Sequence, residues 1–260
     1  MAMDIAAVNK LLSQPNALVR NFDALVESIS TFLSQYDDIA CNFGNHSSAD
    51  DIKPLLTSLR ENMPAKLEIL VARMIKMLLR KQINRNSINK QGILAVVCAL
   101  QRQVANRTIA AAEIANVVLN TCYDGANVVS FLEEGGMPLL LRLLETRDEN
   151  VQASVLGAIQ GVCFVPLGRQ AVRSNDMTIP FLCNFLSSEN GLVRARAIGT
   201  VHNISADTVS IFPLRSASVI TALISLLGDR SAEVVLLTIV ASITHSNKET
   251  LILSVVKLKV

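Results

Sequence analysis

The sequence contains no tryptophan, and aromatic residues make up only 4% of its 260 residues, although 50% of the chain is hydrophobic. The apolar content therefore comes mainly from Leu, Ile, Val and Ala. With 11 glycines and 7 prolines, turn-forming residues are too scarce for a fold with many short strands and tight turns. This composition favours packed helices.

Several kinds of partner and location find no support in the composition. The formal net charge is only +2, and aromatic residues do not alternate with basic ones, so we expect no nucleic acid and no anionic membrane as partner. The five cysteines form no CxxC pair, which is typical of buried thiols in a reducing compartment. No apolar run approaches the roughly 18 residues of a membrane span, and the N-terminus lacks a signal-peptide pattern. We expect a soluble cytoplasmic protein, with the nucleus or the cytoskeleton as alternative locations.

Motifs of catalytic or metal chemistry are also missing. The three histidines are far apart, and the sequence has no GxSxG, P-loop, Rossmann glycine or HExxH pattern. Cys163 and His202 could act as a nucleophile pair only with a third, orienting group, which the sequence does not supply. We therefore expect a protein without catalytic activity, metal or cofactor.

A repeated helical unit is the clearest positive feature. Residues 178–205 contain an apolar helical segment, a polar break (SSENG) and a longer amphipathic helix. Equivalent positions recur every 41 or 42 residues: Pro138 and Pro180; Leu144, Leu186 and Leu227; Val151, Val193 and Val234. A helical period near 40 residues predicts a HEAT or armadillo type of solenoid, in which each unit buries its apolar face against its neighbours.

The pattern predicts three units of a short, a medium and a long helix: 128–134, 137–144 and 151–162; 169–174, 179–186 and 192–205; 209–215, 219–227 and 232–244. Upstream helices are predicted at 4–13, 17–36, 52–59, 65–81, 93–103 and 108–121. A polar segment at 37–51 separates the first two of these from the rest. We therefore predict an N-terminal helical cap in residues 1–45 and about five repeats, the last incomplete, in one continuous solenoid over residues 46–260.

Three features of these units resemble the armadillo-repeat family: the short–medium–long helix order, the pair Gly135-Gly136 between the first two helices, and HNIS at 202–205. The segment GMPLLLRLLETRDENVQASVLGAIQGV is similar to the family pattern over its whole length, and the resemblance extends over about residues 127–245. It implies an all-α, right-handed solenoid whose third helices line a concave groove for an extended protein segment.

The resemblance also implies candidate groove residues. Family members carry an Asn near the end of each third helix that bonds the backbone of the bound peptide, and the matching residues here are Asn120, Gly161, Asn203 and Thr244. The alternative is that Asn203 bonds within its own repeat or caps a helix. Import receptors of the family place Trp four residues earlier, where this chain has Asn116, Gly157, Gly199 and Val240. A binding site for basic import signals is therefore not expected.

Charge along the implied groove is mixed. Arg73, Lys76 and Arg80 would make its N-terminal end basic, Arg194 and Arg196 add positive charge further on, and Glu113 opposes them. A basic end would suit an acidic or phosphorylated peptide, although a row of charges is more often a solvated helix face. The predicted groove residues are Asn116, Asn120, Asn203, His202, Arg196, Glu113, Arg73 and Arg80.

The sequence leaves two functional classes open. The first is a non-catalytic scaffold or adaptor that binds an extended protein segment in the groove. The second is a chaperone-like or assembly factor that uses a broad surface and self-association.

Residues 246–260 resemble a first short helix with no further helices behind it, and a solenoid end usually needs a polar cap. Its apolar residues would fold back, contact another subunit in a homo-oligomer or mark the edge of a longer protein: Leu251, Ile252, Val255, Val256 and Leu258.

Overall fold

The computed structural model describes residues 5–14, 16–36, 52–106, 109–229 and 231, and the regular structure of these residues is helical. They form two compact units that divide between Leu143 and Leu144, named unit 1 and unit 2 here. The predicted polar segment at 37–51, the helix at 232–244 and the end surface formed by Leu251, Ile252, Val255, Val256 and Leu258 lie outside the described residues. The boundary at residue 45 and the continuity of the solenoid stay predictions.

Unit 1 contains, within its described ranges, ten helices: α1 (Ile5–Leu12), α2 (Ala17–Arg20), α3 (Phe22–Tyr36), α4 (Ile52–Ser58), α5 (Ala65–Leu78), α6 (Gln82–Asn86), α7 (Lys90–Asn106), α8 (Ala111–Thr121), α9 (Gly125–Glu133) and α10 (Gly136–Leu143). Helix α5 packs against α3 and α8, and α7 packs against α4, α8, α9 and α10. The apolar residues that recur along α5, such as Leu67, Val71 and Ile75, are fully buried. Their three- and four-residue spacing therefore marks the packed face of the helix.

Unit 2 begins with α11 (Glu149–Val162) and α12 (Pro166–Arg173). It continues with α13 (Thr178–Cys183), a 3-10 helix (Asn184–Ser187), α14 (Gly191–Ser205), α15 (Thr208–Ser216) and α16 (Val219–Leu226). The long helices α11 and α14 pack along each other, and α14 also contacts the 3-10 helix and α15. The predicted order of a short, a medium and a long helix is thus confirmed for α12, α13 with its 3-10 extension, and α14.

Side-chain caps determine where several helices begin. Asp124, Asp148 and Asn190 precede α9, α11 and α14, and each side-chain oxygen accepts two backbone N–H groups of the first turn at 2.9–3.3 Å. These caps satisfy N–H groups that have no partner within the helix. Helix α9 therefore begins at Gly125, three residues before the predicted start, with Asp124 as its cap.

The helix predicted at 17–36 is interrupted at Asn21. The Asn21 side-chain amide donates to the backbone oxygen of Leu11 at 3.1 Å and to Gln14 Oε1 at 2.9 Å. These bonds attach the break to the end of α1, so α2 and α3 are separate helices. Asn side chains commonly compete with helix continuation in this way.

The predicted glycine pair occupies the turn between α9 and α10. Gly135 has φ +77°, a left-handed conformation that favours glycine at a helix end. Gly136, the first residue of α10, lies directly against the fully buried ring of Phe131, and a Cβ atom there would overlap that ring. The pair is therefore required by backbone conformation at one position and by close packing at the other.

Replacing Gly136 by Ala tests this packing. We expect Gly136→Ala to lower the free energy of unfolding by about 1–3 kcal/mol, because the buried Phe131 ring cannot move aside without disturbing the core. The measurement is urea unfolding followed by circular dichroism. Gly191→Ala is the matched control, since a Cβ at Gly191 would meet its nearest atom, in Arg194, at an ordinary 3.7 Å. Equal stabilities of the two variants would contradict the packing account.

Candidate functional site

One carboxylate pairs with two of the three cations at the predicted basic end in unit 1. Arg73 Nε and Lys76 Nζ, both on α5, each lie 2.8 Å from a different oxygen of Glu113 on α8. Burial raises the pKa of Glu113, but hydrogen bonds and charge from Lys76 and Arg73 outweigh this effect and leave the pKa below its ordinary value. These two cations are therefore engaged within unit 1 rather than free for an acidic partner.

The remaining predicted groove residues of unit 1 differ in whether their side chains are hydrogen-bonded. Asn120 Nδ2 donates to the backbone oxygen of Asn116 at 2.9 Å, within the same helix. The half-buried side chain of Asn116 and the exposed guanidinium of Arg80 make no hydrogen bond to any described residue. On α8, the fully unpaired amide thus belongs to Asn116 rather than to Asn120.

In unit 2, two side chains of α14 bond the backbone of α11. Asn203 Nδ2 donates to the Gln160 backbone oxygen at 2.8 Å. The single Thr200 hydroxyl proton is shared between the Leu156 backbone oxygen at 3.0 Å, on α11, and the Arg196 backbone oxygen at 2.9 Å, within α14. Asn203 therefore bonds the third helix of the preceding repeat, not its own repeat, and it keeps an unbonded Oδ1. These bonds fix the position of α14 along α11.

Gly199 is a buried residue of α14 that lies beneath the side chain of Gln160. A Cβ atom on Gly199 would lie 2.6 Å from Gln160 Nε2, 2.7 Å from Cδ and 2.8 Å from Oε1. The half-buried Gln160 amide has no hydrogen-bond partner in the described part of the chain. Sequence analysis missed Gln160, because the resemblance directs attention to Gly161 beside it.

The two arginines predicted to add charge on α14 have different roles. Arg194 donates to the backbone oxygens of Ser188 and Glu189 at 2.7 and 2.9 Å, and its Nη2 donates to Asp229 Oδ1 at 3.0 Å. Its Nε also lies 2.7 Å from Asp229 Oδ2. Arg196 is half-buried, and its guanidinium has no partner among the described residues. The charge that remains available is therefore that of Arg196.

The other buried or half-buried arginines of unit 2 are paired as well, within the ranges described. Arg173 Nη1 lies 2.7 Å from Asp207 Oδ2, and Arg169 Nε lies 3.5 Å from the same oxygen. Arg169 Nη1 also donates to the backbone oxygens of Cys163 and Phe164 at the end of α11. Hydrogen bonding to Arg173 is the main cause of a lowered pKa at Asp207. Arg196 differs from Arg169 and Arg173 in lacking such a carboxylate.

The geometry does not support Cys163 as a nucleophile. Its side chain is fully buried, and burial raises the pKa of the thiol to about 12, despite the opposing charges of Arg169 and Arg173. Almost no thiolate would be present at neutral pH. His202 Nδ1 is buried and makes no hydrogen bond to the described residues, so no third group orients this ring.

Metal sites, grooves and membrane-spanning helices can each be assessed in the described residues. They contain no cluster of three His, Cys, Asp or Glu side chains that could hold a metal ion. A groove of about 370 Å³ in unit 2 is lined mainly by apolar residues that include Ile179, Pro180 and Phe212.

No single helix among the described residues is long and apolar enough to cross a membrane. Two sharply bent helix pairs, α11 with α12 and α15 with α16, have the length and apolar composition of a membrane span, but on no other ground.

Comparison with solved structures identifies the fold. A designed armadillo repeat protein, YIII(Dq)4CqI, is 15% identical to this chain with a TM-score of 0.73, and the match covers 94% of this chain and 100% of that one. Another designed armadillo repeat protein, solved in complex with the peptide (KR)4, is 16% identical with a TM-score of 0.68, covering 92% and 98%. An engineered protein gives 16% identity and a TM-score of 0.77, covering 94% and 98%.

No protein-family model and no curated protein matches the sequence. At these low identities the structural likeness concerns the fold alone. The chain has the all-α, armadillo-type repeat fold that its sequence pattern predicts.

The Glu113 cluster makes a testable contribution to stability. Because the pKa of Glu113 is lower in the folded state, the ionised carboxylate stabilises the fold above its ordinary pKa of 4.5, and this contribution is lost as pH falls through the folded pKa. We expect Glu113→Gln to reduce the unfolding free energy by about 1 kcal/mol at neutral pH, and by progressively less below pH 4.5.

Urea unfolding over a pH series measures this difference. Glu145→Gln is the matched control, because Glu145 is exposed and makes no ion pair with the described residues. A deficit of Glu113→Gln that stays constant down to the most acidic condition would contradict the assignment.

Proposed function

We propose that this protein is a non-catalytic scaffold that binds an extended, acidic protein segment along α11 and α14 of unit 2. The observation that carries the proposal is Arg196, a half-buried arginine without a partner among described residues. The other buried or half-buried arginines described in unit 2, Arg169, Arg173 and Arg194, are each paired with a carboxylate. A guanidinium without a carboxylate partner keeps its N–H donors unused, and an acidic ligand would accept paired hydrogen bonds from them.

The residues around Arg196 form a continuous stripe. Leu192, Arg196, Gly199 and Asn203 are spaced by three or four residues, so they share one face of α14. Leu192 is 49% exposed, which places an apolar side chain beside the free charge and the amides. A bound segment could therefore gain apolar contact, an ion pair and backbone hydrogen bonds from one face.

The chemistry of the stripe favours an extended segment. An extended backbone presents unpaired N–H and C=O groups, and a carboxamide offers one donor and one acceptor group to them, whatever the peptide's sequence. The Asn203 Oδ1 atom and the Gln160 amide have this capacity unused within the described residues. Arg196 would then select a carboxylate through paired N–H donors.

An acidic segment is favoured over a basic one. The chain has no Trp to stack against Lys or Arg side chains, and Gly199 stands at the position where the resemblance would place one. The uncompensated positive charge of Arg196 would also repel a basic peptide. The peptide (KR)4, with which one designed armadillo protein was solved, is therefore a suitable negative control.

Selection from a library tests this proposal. The full chain is used to select binders from displayed short random peptides, and the tightest binder is labelled with fluorescein for anisotropy measurements. We expect enrichment of Asp and Glu, no binding of (KR)4, and a roughly tenfold weaker Kd for Arg196→Gln, as for the loss of a charge-assisted hydrogen bond.

Arg215→Gln is the matched control, because Arg215 is an exposed arginine of α15 in the same unit. It should bind the selected peptide as the wild type does. Enrichment of basic peptides, or equal affinity of Arg196→Gln and wild type for the selected peptide, would contradict the proposal.

A further inference from the structure

We infer that Gln160 supplies the peptide-binding amide that its repeat lacks at Gly161, and that Gly199 is small so that this amide can lie across the next repeat. The inference rests on the proposed function and identifies which groups of that site bond the backbone of the bound segment. In this arrangement, the amide belongs to α11 but serves the surface of α14.

The local geometry explains why Gln160 takes this place. Gly161 has no side chain and is buried, so it presents nothing to a ligand. Gln160 is the preceding residue on α11, and its half-buried side chain reaches over Gly199. Consecutive side chains of an α-helix point about 100° apart, so Gln160 presents its amide beside the buried Gly161 position, over Gly199.

The Gln160 amide fills the space directly above Gly199. The three atoms nearest to a Cβ built on Gly199 are Nε2, Cδ and Oε1 of Gln160, at 2.6–2.8 Å, and none belongs to the backbone of α11. A larger residue at Gly199 would therefore push aside the flexible end of Gln160, while α11 and α14 could stay in place.

The Gln160 amide retains its full hydrogen-bonding capacity. Neither its Nε2 nor its Oε1 forms a hydrogen bond with any described residue, and neither is a fully buried polar atom. Gln152, on the same helix, contrasts with it, because its Nε2 donates to the Thr146 backbone oxygen at 2.7 Å. A half-buried amide with free donors and acceptor would gain hydrogen bonds from an extended backbone.

The backbone beneath this amide is held in position. Asn203 donates to the backbone oxygen of Gln160 itself, and Thr200 donates to that of Leu156 one turn earlier. Gly199 and Thr200 are adjacent on α14, so the bonds that fix the two helices also fix where the Gln160 side chain begins. This preorganisation lowers the entropy that a ligand would otherwise have to remove.

Arg196 is placed to act together with Gln160. It lies three residues before Gly199, about one helical turn along α14, on the same face. An extended segment whose backbone bonds the amide over Gly199 would therefore carry a neighbouring side chain toward Arg196. The arrangement predicts a segment with an acidic residue next to the backbone group bound by Gln160.

Two single variants and their combination test the inference. Anisotropy with the fluorescein-labelled acidic peptide selected from the library gives Kd for wild type, Gln160→Ala, Gly199→Ala and the double variant. We expect each single variant to bind about tenfold more weakly, and the double variant to bind no more weakly than Gln160→Ala, because both changes remove the same amide. The melting temperature of Gly199→Ala should equal or exceed that of wild type, since Ala is favoured over Gly within a helix.

Matched controls are available in the same unit. Gln170→Ala removes an exposed glutamine of α12, and Gly191→Ala adds a methyl group at the start of α14 where space allows it. Both should bind the peptide as the wild type does. If wild type and Gln160→Ala bind equally while Arg196→Gln binds more weakly, the inference is wrong and the proposed function stands. If no acidic peptide binds the wild type, both are wrong.

Discussion

The contact between α11 and α14 is the interaction on which the account of unit 2 depends. Thr200 and Asn203 use side-chain donors to hold the α11 backbone, and Gly199 leaves room for the Gln160 amide between those bonds. A repeat helix cannot bury its apolar stripe alone, so it packs against the neighbouring repeat in one defined register. Here the register is set by polar bonds as well as by apolar packing, and the same bonds arrange an unpaired amide at the surface.

Ion pairs distinguish the basic side chains that connect helices from those that remain available to a ligand. Arg73 and Lys76 share Glu113, Arg173 meets Asp207, and Arg194 meets Asp229, so these basic side chains mainly connect neighbouring helices or turns. Bonds of this kind stabilise a stacked fold by modest amounts each and specify which elements are adjacent. Arg196 has no such partner in the part of the chain described. Its charge is therefore the one on this face that a ligand could use.

Much of the architecture is predictable from sequence, whereas the pairing of side chains is not. The 41- and 42-residue recurrence and the apolar stripes predict the helix order, because periodicity is local and repeated. The break at Asn21 depends on bonds to Leu11 and Gln14, which no pattern within α3 indicates. The resemblance placed Asn203 at the surface, but its bond to Gln160 joins residues 43 apart and depends on helix register. The resemblance points to Gly161 instead of Gln160, and the place of the Gln160 amide over Gly199 likewise depends on helix register.

The most direct test of the central claim is mapping of the bound peptide by NMR on the full chain, with side-chain amides of Asn and Gln observed together with the backbone. We expect the selected acidic peptide to cause its largest shifts at the Gln160 side-chain amide and along α14 from Arg196 to Asn203. Shifts concentrated instead at the groove formed by Ile179, Pro180 and Phe212, with Gln160 unmoved, would contradict it.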